Sequence, residues 1–87
     1  MARYEILIKA SAVRELGAIG QKKDRQRVAR RISALGNDPR PSGCRKLSGD
    51  EERYRVRQGQ HRIVYAIDDG RRTVTVFKIG HRRDVYR

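Results

Sequence analysis

The order of hydrophobic patterns along this chain predicts a small α+β fold: an antiparallel sheet with two N-terminal helices packed on one face, in the order β-α-α-β-β-β. Three observations carry that expectation. The chain has 87 residues, enough for one domain with a modest core. Its first half places apolar residues at helical spacing. Its second half is rich in β-branched and aromatic residues, broken at short intervals by turn-forming pairs.

Residues 3–8 predict a first strand. Residues 10–19 predict a short helix with Val13, Leu16 and Ile19 along one stripe, weakened towards its end by Gly17 and Gly20. Residues 21–35 form a clearer helical pattern. Val28, Ile32 and Leu35 follow the i, i+4, i+7 spacing, and Lys22, Lys23, Arg27, Arg30 and Arg31 occupy much of the remaining surface. Gly36 and Asn37 are helix-stop signals, and Pro39 and Pro41 exclude continuation, so 36–43 reads as a loop. Strands are then predicted over 53–58, 61–68 and 73–79. Gly59-Gln60 suits a two-residue turn with glycine first, and Asp69-Gly70 is a favoured hairpin pair. The sequence shows no repeat, low-complexity stretch or internal linker, which predicts a single domain over 1–87.

Charge narrows the class of partner. There are 22 Lys and Arg against 10 Asp and Glu, a formal net charge of +12. The bases run from Arg3 to Arg87 rather than in a tail, so the folded body itself is basic. Such a field favours a polyanion, and nucleic acid is the first expectation. A ribosome-associated protein that is basic for assembly alone is the bland alternative. No segment joins a strong apolar face to a basic one over a helix's length, and no apolar run approaches the ~20 residues of a membrane span. The N-terminal residues lead into only three apolar positions, short of a signal-peptide core. Cys44 is the only cysteine, which excludes an internal disulfide and a cysteine-rich metal site. It reads as a small filler residue. The expectation is a cytoplasmic protein with no cofactor, no metal and no membrane partner.

A two-residue turn at Gly59-Gln60 sets the register of the first hairpin. Arg57 then faces Arg62, Val56 faces Ile63, and Tyr54 faces Tyr65. Directly opposed residues share a face of the sheet, so Tyr54, Val56, Ile63, Tyr65 and Ile67 form an apolar face for the helices. Arg53, Arg55, Arg57 and Arg62 emerge on the other. Like charges set opposite each other destabilise a strand pair. A solvated face that happens to be arginine-rich is one reading. An anion site is the sharper one, because guanidinium forks match phosphate and keep their charge. Beyond the last strand come His81, Arg82, Arg83, Tyr86 and Arg87. An aromatic among arginines suits single-stranded RNA, stacking on a base while the cations hold the backbone. A ring packed against the sheet is the alternative for Tyr86.

These pieces together resemble the RelE family, within the RelE/ParE toxin superfamily. The matching stretches are the loop from Asn37 to Gly43 leading to Lys46-Leu47, Tyr54-Arg55-Val56-Arg57, the strand from His61 to Tyr65 with Asp68-Asp69, and the segment from Gly80 to Arg87. The resemblance covers nearly the whole chain. It implies a toxin of a type II toxin–antitoxin system that enters the ribosomal A site, cuts messenger RNA and is restrained by a cognate, RelB-like antitoxin. It carries functional roles onto Arg55, Arg57, Arg62 and Arg82, with Tyr86 contacting the reacting nucleotide and Arg83 able to exchange with Arg82. Arg53, Lys46, Arg83 and Arg87 are expected to hold RNA around this centre.

One departure bears on chemistry. The best-known members of the family have lysines where this chain has Arg55 and Arg57. Lysine can release its proton in a suitable environment; arginine effectively cannot. Arg55 and Arg57 therefore suit clamping a phosphate better than moving protons. His61 points by register away from the arginines, which leaves His81, beside Arg82, as the candidate proton carrier. Otherwise the ribosome must orient the 2′-hydroxyl without a side-chain base. A ParE-like inhibitor of DNA gyrase and a catalytically silent RNA-binding module are the competing functions on the same fold.

Overall fold

The computed structural model describes residues 3–47, 49 and 52–81. Its elements run in the order β1 (Glu5–Ile8), α1 (Ala10–Gly17), α2 (Lys22–Ala34), β2 (Arg45–Lys46), β3 (Arg53–Gln58), β4 (His61–Asp68) and β5 (Thr73–His81). The five strands make one sheet in the order β1-β5-β4-β3-β2. From β2 to β5 every pairing is antiparallel, as a meander with short turns dictates. β1 joins β5 in parallel, so the sheet is mixed rather than wholly antiparallel. Between β1 and β2 the chain traverses the whole width of the sheet through α1 and α2. The two-residue β2 is too short to show a period in sequence, and it lies in a stretch assigned to no element.

The core lies between this sheet and the helices. Val28, Ile32 and Leu35 are buried as their spacing predicts, against Tyr54, Val56, Ile63, Tyr65, Ile67, Val74, Val76 and Ile79. α1 turns differently from its predicted stripe. Ala12 is fully buried and Leu16 packs partly against the core, whereas Val13 is 52% exposed. The helix ends at Gly17, so Ile19 reaches the core from beyond it.

β5 contains a bulge. Val64 pairs with Lys78, but Tyr65 pairs with Val76, which leaves Phe77 as an extra residue. The insertion lets Val76 and Ile79, three positions apart, both face the core. Glu15 on α1 fastens the distorted strand: its carboxylate accepts the Ile79 backbone N–H at 2.9 Å and a hydrogen bond from Lys78 Nζ at 3.3 Å.

The first hairpin has the expected register, with Gln58 opposite His61 and Gly59 at φ 61°. The second is longer than the Asp69-Gly70 pair predicts. Asp68 pairs with Thr73, so four residues form the loop, and Arg72 at φ 55° takes the left-handed position. Asp68 stabilises this loop by accepting the Arg71 backbone N–H at 3.0 Å. Asp69 is drawn instead into a neighbouring cluster. It accepts from the Tyr4 hydroxyl and from both terminal nitrogens of Arg40, which hold its carboxyl below the usual range.

Candidate functional site

The open face of the sheet, away from the helices, carries the arginines. Arg57 lies opposite Arg62, Arg55 opposite Val64 and Arg53 opposite Ala66. On the far side of β3, Arg45 lies opposite Arg55. On the other side of β4, the residue opposite Arg62 is Gly80, which adds no side chain to crowd it. Arg62 is only 5% exposed, the one buried charged residue among those described.

A cleft of about 320 Å³ opens over this region, lined by Arg31, Arg45, Arg55, Arg57 and Arg62 with Gly43 and Val56. Five guanidinium groups from one helix and three strands thus converge. Their mutual repulsion is visible at Arg55, whose pKa is pulled down by partial burial and then by Arg45 and Arg57. It stays a cation at neutral pH, but its charge is one that a bound anion would stabilise. Chemically, the arrangement can grip a phosphodiester with forked donors and offset the extra charge of a phosphorane.

Two of these five arginines were not expected at the site. Arg31 reads in sequence as part of the solvated face of α2, yet it lies next to the apolar stripe position Ile32 and reaches the cleft. Its Nε is buried and finds no hydrogen-bond acceptor among the described residues. Arg45 belongs to β2, which the sequence pattern does not reveal.

The other expected residues divide. Arg53 lies on the open face with its guanidinium carbon 4.5 Å from the centroid of the Phe77 ring. Lys46 is in register with Tyr54 rather than with the arginines, and its Nζ pairs with Glu52 at 3.1 Å. His81 pairs with His61 across β4 and β5, their ring centroids 6.2 Å apart. Both histidines line a separate cleft with Glu15, Ile19 and Lys78 on the helix side. The structure therefore brings the two imidazoles to each other and not to the arginine cleft. Arg82, Arg83, Tyr86 and Arg87 lie outside the described residues.

Like charges directly opposed across a strand pair cost stability, and Arg57 and Arg62 are so opposed. Arg57→Thr is expected to raise folding stability by about 0.2–1 kcal/mol, the usual range of a cross-strand pair, while weakening growth inhibition. Urea unfolding beside a toxicity assay checks both signs. A stability loss in this variant would mean that Arg57 supports the fold.

Comparison with known proteins places this geometry. The family model described as ParE toxin of type II toxin-antitoxin system, parDE, matches residues 6–86. Toxin RelE of Mycobacterium tuberculosis is 33% identical over 84 residues, covering 97% of this chain and 87% of that protein. Among solved structures, the archaeal RelE–RelB complex from Pyrococcus horikoshii superposes with a TM-score of 0.83 at 24% identity, over 97% of this chain and 99% of the other. The toxin–antitoxin complex RelBE2 of M. tuberculosis gives a TM-score of 0.81 at 24% identity, over 97% of both chains. A family match across nearly the whole chain, a relative of that extent and the shared fold agree: the chain belongs to the RelE/ParE superfamily, as a RelE-type toxin of a type II toxin–antitoxin system.

Proposed function

We propose that this toxin is an endoribonuclease that cuts messenger RNA in the ribosomal A site. The observation that carries the reading is the convergence of Arg31, Arg45, Arg55, Arg57 and Arg62 on one cleft. In the reaction the 2′-oxygen attacks the adjacent phosphorus and the bond from phosphorus to the 5′-oxygen breaks. The products are a 2′,3′-cyclic phosphate and a 5′-hydroxyl; the 2′-hydroxyl loses a proton and the departing oxygen gains one. The arginines hold the phosphate and offset charge on the phosphorane. Arg82 and Tyr86 supply a further cation and a stacking ring near the reacting nucleotide.

Arginine moves protons poorly, and the cleft lining among the described residues contains neither carboxylate nor imidazole. The ribosome then has to impose the in-line geometry, a contribution worth several kcal/mol of barrier. The toxin is accordingly expected to cut messenger on programmed ribosomes and to cut the same RNA very slowly in buffer. Efficient cleavage of naked RNA would overturn ribosome dependence. A parallel supercoiling assay tests the second reading, gyrase inhibition, which the parDE description of the matching family favours. Inhibition of gyrase without messenger cleavage would replace the first reading by the second.

The partner follows from charge. A body with net charge +12 calls for an antitoxin with acidic and amphipathic segments that order on binding, acting with it in the cytoplasm. RelE relatives are solved with RelB bound, and the native neighbouring gene product is the natural candidate here.

A further inference from the structure

The arginine cleft is not the largest concavity on the open face. A second one, of about 560 Å³, lies further along the sheet and has a different chemistry. Its floor is uncharged: Leu7, Thr75 and Ala66 lie side by side across β1, β5 and β4, and the next residue in that row is Arg53. Its rim carries Glu52, Asp68, Asp69 and Arg71, with Thr73 opposite Asp68 on β5. Beside it, outside its lining, the bulge presents Phe77, and the exposed Arg53 guanidinium lies over that ring while Lys9 Nζ approaches it at 5.5 Å.

The spacing links the two concavities. Arg57, Arg55 and Arg53 occupy alternate positions of β3, so they recur about every 6.8 Å along it. That repeat is close to the phosphate spacing of an extended single strand. A strand laid along β3 with phosphates at Arg57 and Arg55 delivers its next nucleotide to Arg53. There the surface changes from cations to an uncharged floor flanked by a guanidinium stacked on an aromatic. Flat guanidinium and aromatic groups are what unpaired bases stack upon. A carboxylate at the rim repels phosphate and accepts hydrogen bonds from an exocyclic amino group.

Resting on the RNA-cleaving reading above, we propose that this concavity is a nucleobase subsite of the same RNA track. It holds the base of a nucleotide displaced from the scissile phosphate, stacked at Arg53 and Phe77, and Asp68 favours bases that carry an amino group over uracil. The arginine cleft then sets where the backbone lies, and this subsite sets which sequence is cut.

The test uses 2′-O-methyl tetranucleotides, which cannot be cleaved, with 2-aminopurine placed at each position in turn. The full-length toxin is expected to quench one position strongly. Arg53→Lys keeps the charge but removes the flat group, Phe77→Leu removes the ring, and Thr75→Phe fills the floor with another strand-forming residue. Each is expected to remove the position-specific quenching and weaken binding by about 5- to 100-fold, the scale of one stacked base. Arg62→Ala is expected to weaken binding at every position and leave the quenching pattern intact. RNA binding with equal quenching at all positions, unchanged by the three variants, overturns the subsite but leaves the RNA reading standing. No RNA binding at all overturns both. If the variants spare RNA binding and instead lower affinity for the antitoxin, the concavity is an antitoxin seat and the proposal fails.

Discussion

Replacing Arg62 by alanine is expected to abolish growth inhibition and, on the proposed RNA-cleaving reading, to slow messenger cleavage by about 10²–10³-fold, the loss typical of one preorganised donor to developing charge. Burial is the reason for expecting so large an effect. Arg62 lies on the central strand β4, between Arg57 and Gly80, and keeps almost no contact with solvent. A charge in that position is weakly screened by water, so its attraction for a phosphorane is stronger than that of a surface arginine. Its neighbours cannot fully substitute for it, since Arg31 and Arg45 approach the cleft from α2 and the sheet edge. Arg62→Lys is expected to recover only part of the activity, because an ammonium lacks the planar fork. Circular dichroism should show an intact fold in both variants. Full toxicity of Arg62→Ala at matched expression would remove this residue from the site.

Tyr65→Ala is expected to cost about 3–5 kcal/mol, enough to leave a domain of this size largely unfolded. Tyr65 is the largest fully buried side chain, in the middle of β4. Its ring stacks on Tyr54 with centroids 6.0 Å apart, and its hydroxyl donates to the Pro39 carbonyl at 2.7 Å. Burial pushes the phenol pKa up, so the hydroxyl stays protonated and continues to donate through ordinary alkaline pH. The same residue thus fills the core and ties down the loop between α2 and β2. Tyr65→Phe separates the two tasks: the ring remains, and the expected cost falls to about 1–3 kcal/mol for a buried carbonyl without its donor. Thermal or urea unfolding of the two variants decides the matter. Equal losses would mean that the loop anchor, not the ring, dominates.

Much of this architecture is legible in the residues. The α2 stripe, the Gly59-Gln60 turn and the alternation of β3 together fix which face of the first hairpin carries arginine, because a period of two leaves no freedom once the turn is set. Arg53, Arg55, Arg57 and Arg62 follow directly. What escaped depends on contacts between distant segments. The parallel pairing of β1 with β5 has no local signature. The bulge at Phe77 emerges only when Ile79 must reach the same core as Val76. Arg31 and Arg45 come to the site through tertiary packing, and nothing in their neighbours in sequence separates them from other surface cations. The position of His81 escaped for the same reason. It lies opposite His61, on the helix side, only because the second loop has four residues and Phe77 is bulged out; a two-residue Asp69-Gly70 turn would set Lys78 there.

The edge position of β1 governs when this molecule can come into being. Tyr4 and its hydrogen-bond partner Asp69 are 65 residues apart, and β1 pairs in the sheet with β5 alone, the last of the described strands. While the chain is still emerging, the first strand has nowhere to dock and the helices have no finished sheet to cover. Closure of long-range pairings such as these is slow compared with local structure. β1 and the helices therefore wait for β5 before the toxin acquires its finished shape. Translation supplies the delay, and an antitoxin already present in the cell has that interval in which to meet the chain.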